Sequence, residues 1–225
     1  MSAPRPRGED LPDCLPVFPL AGALLLPGGR LPLNIFEPRY LALVEDALAA
    51  GRRFGMIQPD EHRPAGPHGP ALYSVGCLGR LCSFSETDDG RFLVTLAGVA
   101  RFAVAQELPP CRGYRRVRAD FSRFAADLAP DQPDPRLDRP ALLAALRRYF
   151  ERHGFEANWD AIGQMADDAL VLTLSMVCPF AVPEKQALLE APTPVERAEA
   201  LLALLQIDAH EPSDSAESPR PFRAS

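Results

Sequence analysis

Between Cys14 and Phe36 the chain is strongly apolar, yet no stretch of it can run as a helix. In CLPVFPL and LLLPGGRLPLNIF, prolines at 16, 19, 27 and 32 and the Gly28–Gly29 pair interrupt every apolar run. Proline lacks the N–H that a helix interior or a central strand requires, and it is tolerated at sheet edges and bulges. These runs therefore read as short strands of a bent, partly open sheet. RFGMIQ (53–58) and LYSVGCLGRLCSFSE (72–86) add strands, the second with Gly76 and Gly79 as bend points. TDDGR (87–91) then supplies an Asp-Gly turn between two apolar runs, which is the strongest hairpin signal in the chain. FLVTLAGVARFAV and GYRRVRADF complete the set, with Gly98 and Arg101 read as a turn followed by a basic side chain.

One helix interrupts the strands. Pro38 suits a first helical turn, where its missing N–H costs nothing. Tyr40, Leu41, Val44, Ala47 and Leu48 recur at helical spacing, and Gly51 reads as the C-terminal stop. Glu37 lies at the positive end of the helix dipole, worth about 0.5 kcal/mol.

Beyond residue 137 the texture changes. Asp138 reads as the cap of a helix through Leu142, Leu146 and Tyr149 that ends near Gly154. Asp160 is expected to open a second, carrying Ile162, Met165, Ala169, Leu172 and Met176 at one spacing. Pro183 starts a short third, and TPVE (193–196) is a capping box with proline at the first position. The fold class is therefore α+β. Residues 1–14 and 209–225 are read as disordered ends, 15–125 as the β unit with one helix, 126–137 as a linker loop and 138–208 as a helical bundle.

Net charge is −6, unevenly divided: residues 1–125 hold 15 arginines against 13 acids, and the remainder holds 9 basic against 17 acidic groups. An acidic chain is a poor general nucleic-acid binder. Five cysteines at 14, 77, 82, 111 and 178 form no C-x-x-C pair, so reduced thiols of a cytoplasmic protein are expected. Cys77 and Cys82 read as core fillers on opposite faces of a strand. No apolar run is long enough for a membrane span.

LPVFPLAGALLLPGGRLPLNIFEPRYLALVEDAL, then LYSVGCLGRL and ETDDGRFLVTLAGVARFAV, then EKQALLEAPTPVERAEALLALL, resemble in that order the N-terminal, substrate-recognition domain of Lon proteases. The likeness runs from Leu15 to Ile207, and the chain looks like a free-standing bacterial version. The resemblance implies a PUA-like, partly open β-barrel joined to a C-terminal helical bundle. It also implies partners that are unfolded or exposed polypeptide segments, with a protease or chaperone as co-worker. The ATPase of the full protease needs G-x-x-x-x-G-K-[ST], which is absent here. Its peptidase needs a Ser–Lys dyad, and the sole lysine, Lys185, stands in the EKQALLE stretch of the recognition domain itself. No enzyme activity, cofactor or metal is expected.

Phe36, Glu37, Arg39 and Tyr40 are the candidate peptide-contacting residues. For Glu37 and Arg39 the simpler reading is an ion pair fixing the helix start to the barrel, and for Tyr40 half-buried packing. Glu86, Asp88 and Asp89 sit at a wet turn, which keeps carboxylates ordinary and argues against paired acid–base work. The four histidines, 62, 68, 153 and 210, have no metal spacing. CRGYRRVRADFSR (111–123) offers a second reading, an RNA-contacting strip through Arg116 and Arg118; the plainer reading is an edge strand protected by charge. The surface expected to bind polypeptide is a groove between barrel and helices, or an open sheet edge that accepts a strand.

Overall fold

The computed structural model describes residues 11–129 and 137–210; the expected disordered ends fall largely outside them. The strands are β1 (Cys14–Pro19), β2 (Arg30–Ile35), β3 (Arg53–Ile57), β4 (Val75–Glu86), β5 (Phe92–Cys111) and β6 (Tyr114–Asp120). Helix α1 (Pro38–Ala49) lies between β2 and β3. A 3-10 turn (Ser122–Leu128) leads to α2 (Arg139–His153), α3 (Trp159–Gln164), α4 (Asp167–Val177), α5 (Val182–Glu190) and α6 (Pro194–His210). The fold is α+β: one six-stranded sheet in the order β2-β5-β4-β3-β1-β6, followed by helices.

The sheet curls because β5 is long. Its first half pairs with β2 and β4, and its second half pairs with β6, from Ala103↔Asp120 to Cys111↔Tyr114. β6 therefore lies between β1 and β5 and is not an edge strand, contrary to the expectation for 111–123. Leu15, Val17, Ile57, Leu78, Phe102, Val117 and Ala119 form the small cluster inside the curl. Phe102 fits there because Gly76 leaves room: a Cβ at 76 would lie 2.5 Å from its ring. The larger cluster joins the other face of the sheet to α1 and the C-terminal helices.

The expected turn at Gly98–Arg101 is instead the middle of β5. Gly98 opposes Gly79 where the β4–β5 register shifts. The Leu24–Leu26 segment crosses at that point, so a Cβ on Gly98 would lie 2.0 Å from the Leu26 carbonyl oxygen. The Asp-Gly hairpin forms as expected, closed by Thr87 N–H to Arg91 O at 2.9 Å, with Gly90 at φ +78°. A second tight hairpin joins β5 to β6 through Arg112 and Gly113, both with positive φ.

α1 starts at Pro38 and stops before Gly51, at φ +85°. Its buried residues are Tyr40, Ala42, Leu43, Val44 and Ala47, with Leu41 and Leu48 only partly buried. Glu37 makes no capping bond. Asp138 caps α2 by accepting from the Ala141 N–H, and Gly154 ends it at φ +66°. At α6 the capping box forms in both directions, Thr193 N–H to Glu196 at 3.0 Å and Glu196 N–H to Thr193 Oγ1 at 3.2 Å. The expected single helix from Asp160 to Met176 is two helices: Asn158 caps α3, and Met165 and Ala166 are extended before α4. Cys77 is buried, but Cys82 is exposed beside a bulge rather than filling core.

Candidate functional site

Beyond Arg80, β4 loses its β3 neighbour, so β2, β5 and the end of β4 project as a three-stranded arm. Three of the six large hydrophobic residues exposed among the described residues gather at the tip of this arm. Phe36 is 60 % exposed, Leu93 45 % and Phe84 40 %. Phe36 leaves β2 directly after Ile35, which pairs with Phe92. The Arg91 guanidinium lies 5.9 Å from the Phe36 ring centroid while pairing with Asp89 at 2.8 Å. Leu93 pairs with Asn34 and Ser85, all three exposed on one face. Phe84 belongs to the opposite face, packed edge-on against Phe92 at 5.0 Å. Exposed clusters of this kind mark interaction surfaces more often than scattered single residues do.

The four candidate peptide-contacting residues divide. Phe36 joins the tip. Glu37 and Arg39 are exposed and paired with each other at 2.7 Å; the pair spans two residues of one segment, so it does not fasten helix to sheet as expected. Arg39 also covers the Tyr40 ring at 4.5 Å. Tyr40 is core, its ring 4.1 Å from Phe18, and burial pushes its hydroxyl pKa up. It supports the helix start and contacts no open surface.

The arginines of 111–123 are dispersed. Arg112 bridges to Glu45 and Asp46 at 2.7 and 2.6 Å, and Arg115 is buried in a fork on Glu107. Arg116 donates to the Pro109 carbonyl, and Arg118 faces Asp13 at 3.6 Å. A cleft of about 340 Å³ opens beside them, between the end of α1 and strands β1 and β6. The Tyr114 hydroxyl donates to Asp46 there at 2.7 Å, the largest cause of that carboxyl's lowered pKa. No three His, Cys, Asp or Glu side chains among the described residues gather to hold a metal.

The boundary between sheet and helices is crossed by buried polar side chains. Arg101 is buried in a fork on Asp127, with Nε to Oδ2 at 2.8 Å and Nη2 to Oδ1 at 2.7 Å. Its remaining donors reach the carbonyls of Leu189, Ala191 and Pro192. Lys185 donates to the Gly22 carbonyl at 2.7 Å, and burial lowers its pKa. Gln58 and Gln186 bond each other and tie β4 to α5 through the Val75 and Val182 carbonyls. Arg197 donates to Leu188 O, and burial first, then Arg101, push its pKa down to about 10. Every buried side-chain polar atom among the described residues has a partner. Sequence reasoning placed Asp127 in a linker and Arg101 at a turn; only their partners across the fold reveal the role.

The model of the substrate-binding domain of ATP-dependent protease La (LON) matches residues 14–206. The chain belongs to the LON substrate-binding domain family. The Lon protease of Azorhizobium caulinodans is 25 % identical over 217 residues, 92 % of this chain and 24 % of that protease. Lon protease 2 of Myxococcus xanthus is 30 % identical over 115 residues, 50 % of this chain and 13 % of that one. The chain thus spans under a quarter of the length of these relatives. A Lon N-terminal domain protein from Xanthomonas campestris shares the fold at TM-score 0.55 and 26 % identity, covering 84 % of this chain and 97 % of that one. The N-terminal domain of the Mycobacterium avium complex Lon protease gives 0.55 at 16 % identity, a likeness of fold.

Proposed function

We propose that this protein is a non-catalytic recognition module for unfolded or exposed polypeptide segments, acting in the cytoplasm as an adaptor or holding factor beside a protease or chaperone. The observation that carries it is the exposure of Phe36, Leu93 and, on the opposite face, Phe84 at one end of the arm. Membership of a substrate-binding family supports it. Covering the exposed part of Phe36 and Leu93 removes apolar surface worth about 1 kcal/mol per side chain, enough for weak and broad capture of segments that share only apolarity. RNA binding gains no support, because Arg116 is engaged by the Pro109 carbonyl and Arg118 faces the carboxylate of Asp13.

A permanently unfolded, fluorescently labelled casein titrated with the protein is expected to give saturable anisotropy in the micromolar range. The Phe36→Ser/Leu93→Ser variant is expected to bind roughly tenfold more weakly, with an unchanged melting temperature because both side chains are already exposed. A flat titration up to millimolar protein contradicts the reading.

A further inference from the structure

The arm has two free edges, and they differ. On the β4 side, the register shift between Leu81 and Ser83 breaks the line of backbone groups; bulges of this kind blunt an edge against pairing. On the β2 side the register runs unbroken from Arg30↔Ala97 to Ile35↔Phe92, and no strand among the described residues pairs beyond it.

The parity of this edge is fixed. The Gly98 N–H donates to Gly29 O at 2.9 Å while the Gly98 carbonyl accepts from Gly28 N–H at 3.0 Å, so Gly29 turns its carbonyl toward β5 and sets the alternation that follows. Bonded and non-bonded pairs alternate in an antiparallel ladder. Leu31, Leu33 and Ile35 therefore bond to β5, and the backbone groups of Arg30, Pro32 and Asn34 point outward. Pro32 stands where its missing N–H is not needed by the ladder. What remains is a row of acceptors with the N–H groups of Arg30 and Asn34 at its two ends.

Side chains beside the edge add selectivity. Cross-strand partners share a face, so Arg30, Ala97 and Arg80 form one row across three strands. Arg30 and Arg80 are exposed, and neither has an ion pair or hydrogen bond among the described residues. The next rows, Pro32–Thr95–Ser83 and Asn34–Leu93–Ser85, contain no acid. On the opposite face Leu31 and Leu33 are only partly buried against the core.

We propose that the outer edge of β2 binds an extended polypeptide segment as an added strand, with a carboxylate side chain opposite Arg30 and apolar side chains two residues apart over Leu31 and Leu33. This rests on the polypeptide-recognition reading and names the class of segment: about six residues, alternating, acidic at one end and apolar toward Phe36. Six strand residues span about 20 Å, the reach from Arg30 to Phe36. The arginine row supplies charge complementarity, and the acceptor row supplies sequence-independent bonding.

The test uses fluorescein-labelled ten-residue peptides of alternating valine and threonine with a single glutamate, read by anisotropy. A twin carries lysine in place of glutamate. Two further versions are N-methylated at alternate residues, one on each edge of the extended peptide. The glutamate peptide is expected to bind roughly fivefold tighter than the lysine twin, and the order to invert with Arg30→Glu/Arg80→Glu. Methylation on one edge is expected to weaken binding roughly tenfold, and on the other to leave it unchanged. An unchanged far-ultraviolet spectrum and melting temperature of the double variant show that it folds; an unfolded variant moves the charge test to the peptide pair alone. Equal binding of both methylated forms, or no charge preference, overturns strand addition. If labelled casein still binds in a manner sensitive to Phe36 and Leu93, the recognition reading survives that result; if casein also fails to bind, both fall.

Discussion

Arg101 uses all five of its N–H donors, two on Asp127 and three on carbonyls of residues 189–192. Its guanidinium also lies 4.7 Å from the Phe124 ring. Lysine cannot reproduce such a fork. Removing one partner of a buried pair strands the other charge at a cost of about 3–5 kcal/mol. Arg101→Met is therefore expected to lower the urea midpoint strongly, and Arg101→Met/Asp127→Leu to recover only the stranded-charge part of the loss, since the residue 101 backbone N–H and the carbonyls of 189–192 still lose their partners. A single-variant cost under about 1 kcal/mol contradicts the role assigned to the pair. Cys178, buried at the end of α4, makes a second claim at this scale. Burial pushes its thiol pKa up to about 12, from an ordinary value of 9.0. Below pH 9 both folded and unfolded chains keep the proton. Between 9 and 12 the unfolded chain releases it while the folded chain holds it, so stability falls as pH rises. Denaturation midpoints across pH 8–11 should fall less steeply for Cys178→Ala than for the parent, and parallel curves refute the assignment.

At the scale of elements, the signals that survived were those a few adjacent residues determine by themselves. The Thr87–Arg91 hairpin, the Pro38 helix start, the Asp138 cap and the Thr193–Glu196 box all stand where their local chemistry puts them. The failures share another cause. Ile162, Met165, Ala169, Leu172 and Met176 keep one helical period, yet the helix breaks at Met165. Arg139 of α2 reaches in, donates to the carbonyls of Ile162 and Gly163, and pairs with Asp167. That guanidinium satisfies the last carbonyls of α3 from outside, and no local pattern encodes it. Similarly, 111–123 reads as a charged edge, because nothing in those residues says that β5 is long enough to fold back and pair with them. Of the candidate site, Phe36 was legible from its position at a strand end. Leu93 and Phe84 were not, because alternation assigns them to faces without saying that β3 ends opposite Arg80 and leaves the arm uncovered.

At the scale of the whole molecule, the chain splits into a closed boundary and an open arm. Arg101, Lys185, Gln58, Gln186 and Arg197 lock the helices to the curled sheet, so that boundary is unsuited to opening for a ligand. The arm carries the exposed apolar tip, the unbroken outer edge of β2 and Arg30 and Arg80, whose side chains have no partner among the described residues, on the same three strands. The proposed recognition surface is the arm, not the cleft beside α1. Hydrogen exchange with and without saturating unfolded casein tests this placement most directly. The account predicts slowed exchange at residues 30–36 and 84–93 and unchanged exchange at 45–53 and 114–118. Slowed exchange confined to 45–53 and 114–118, or none anywhere, contradicts it.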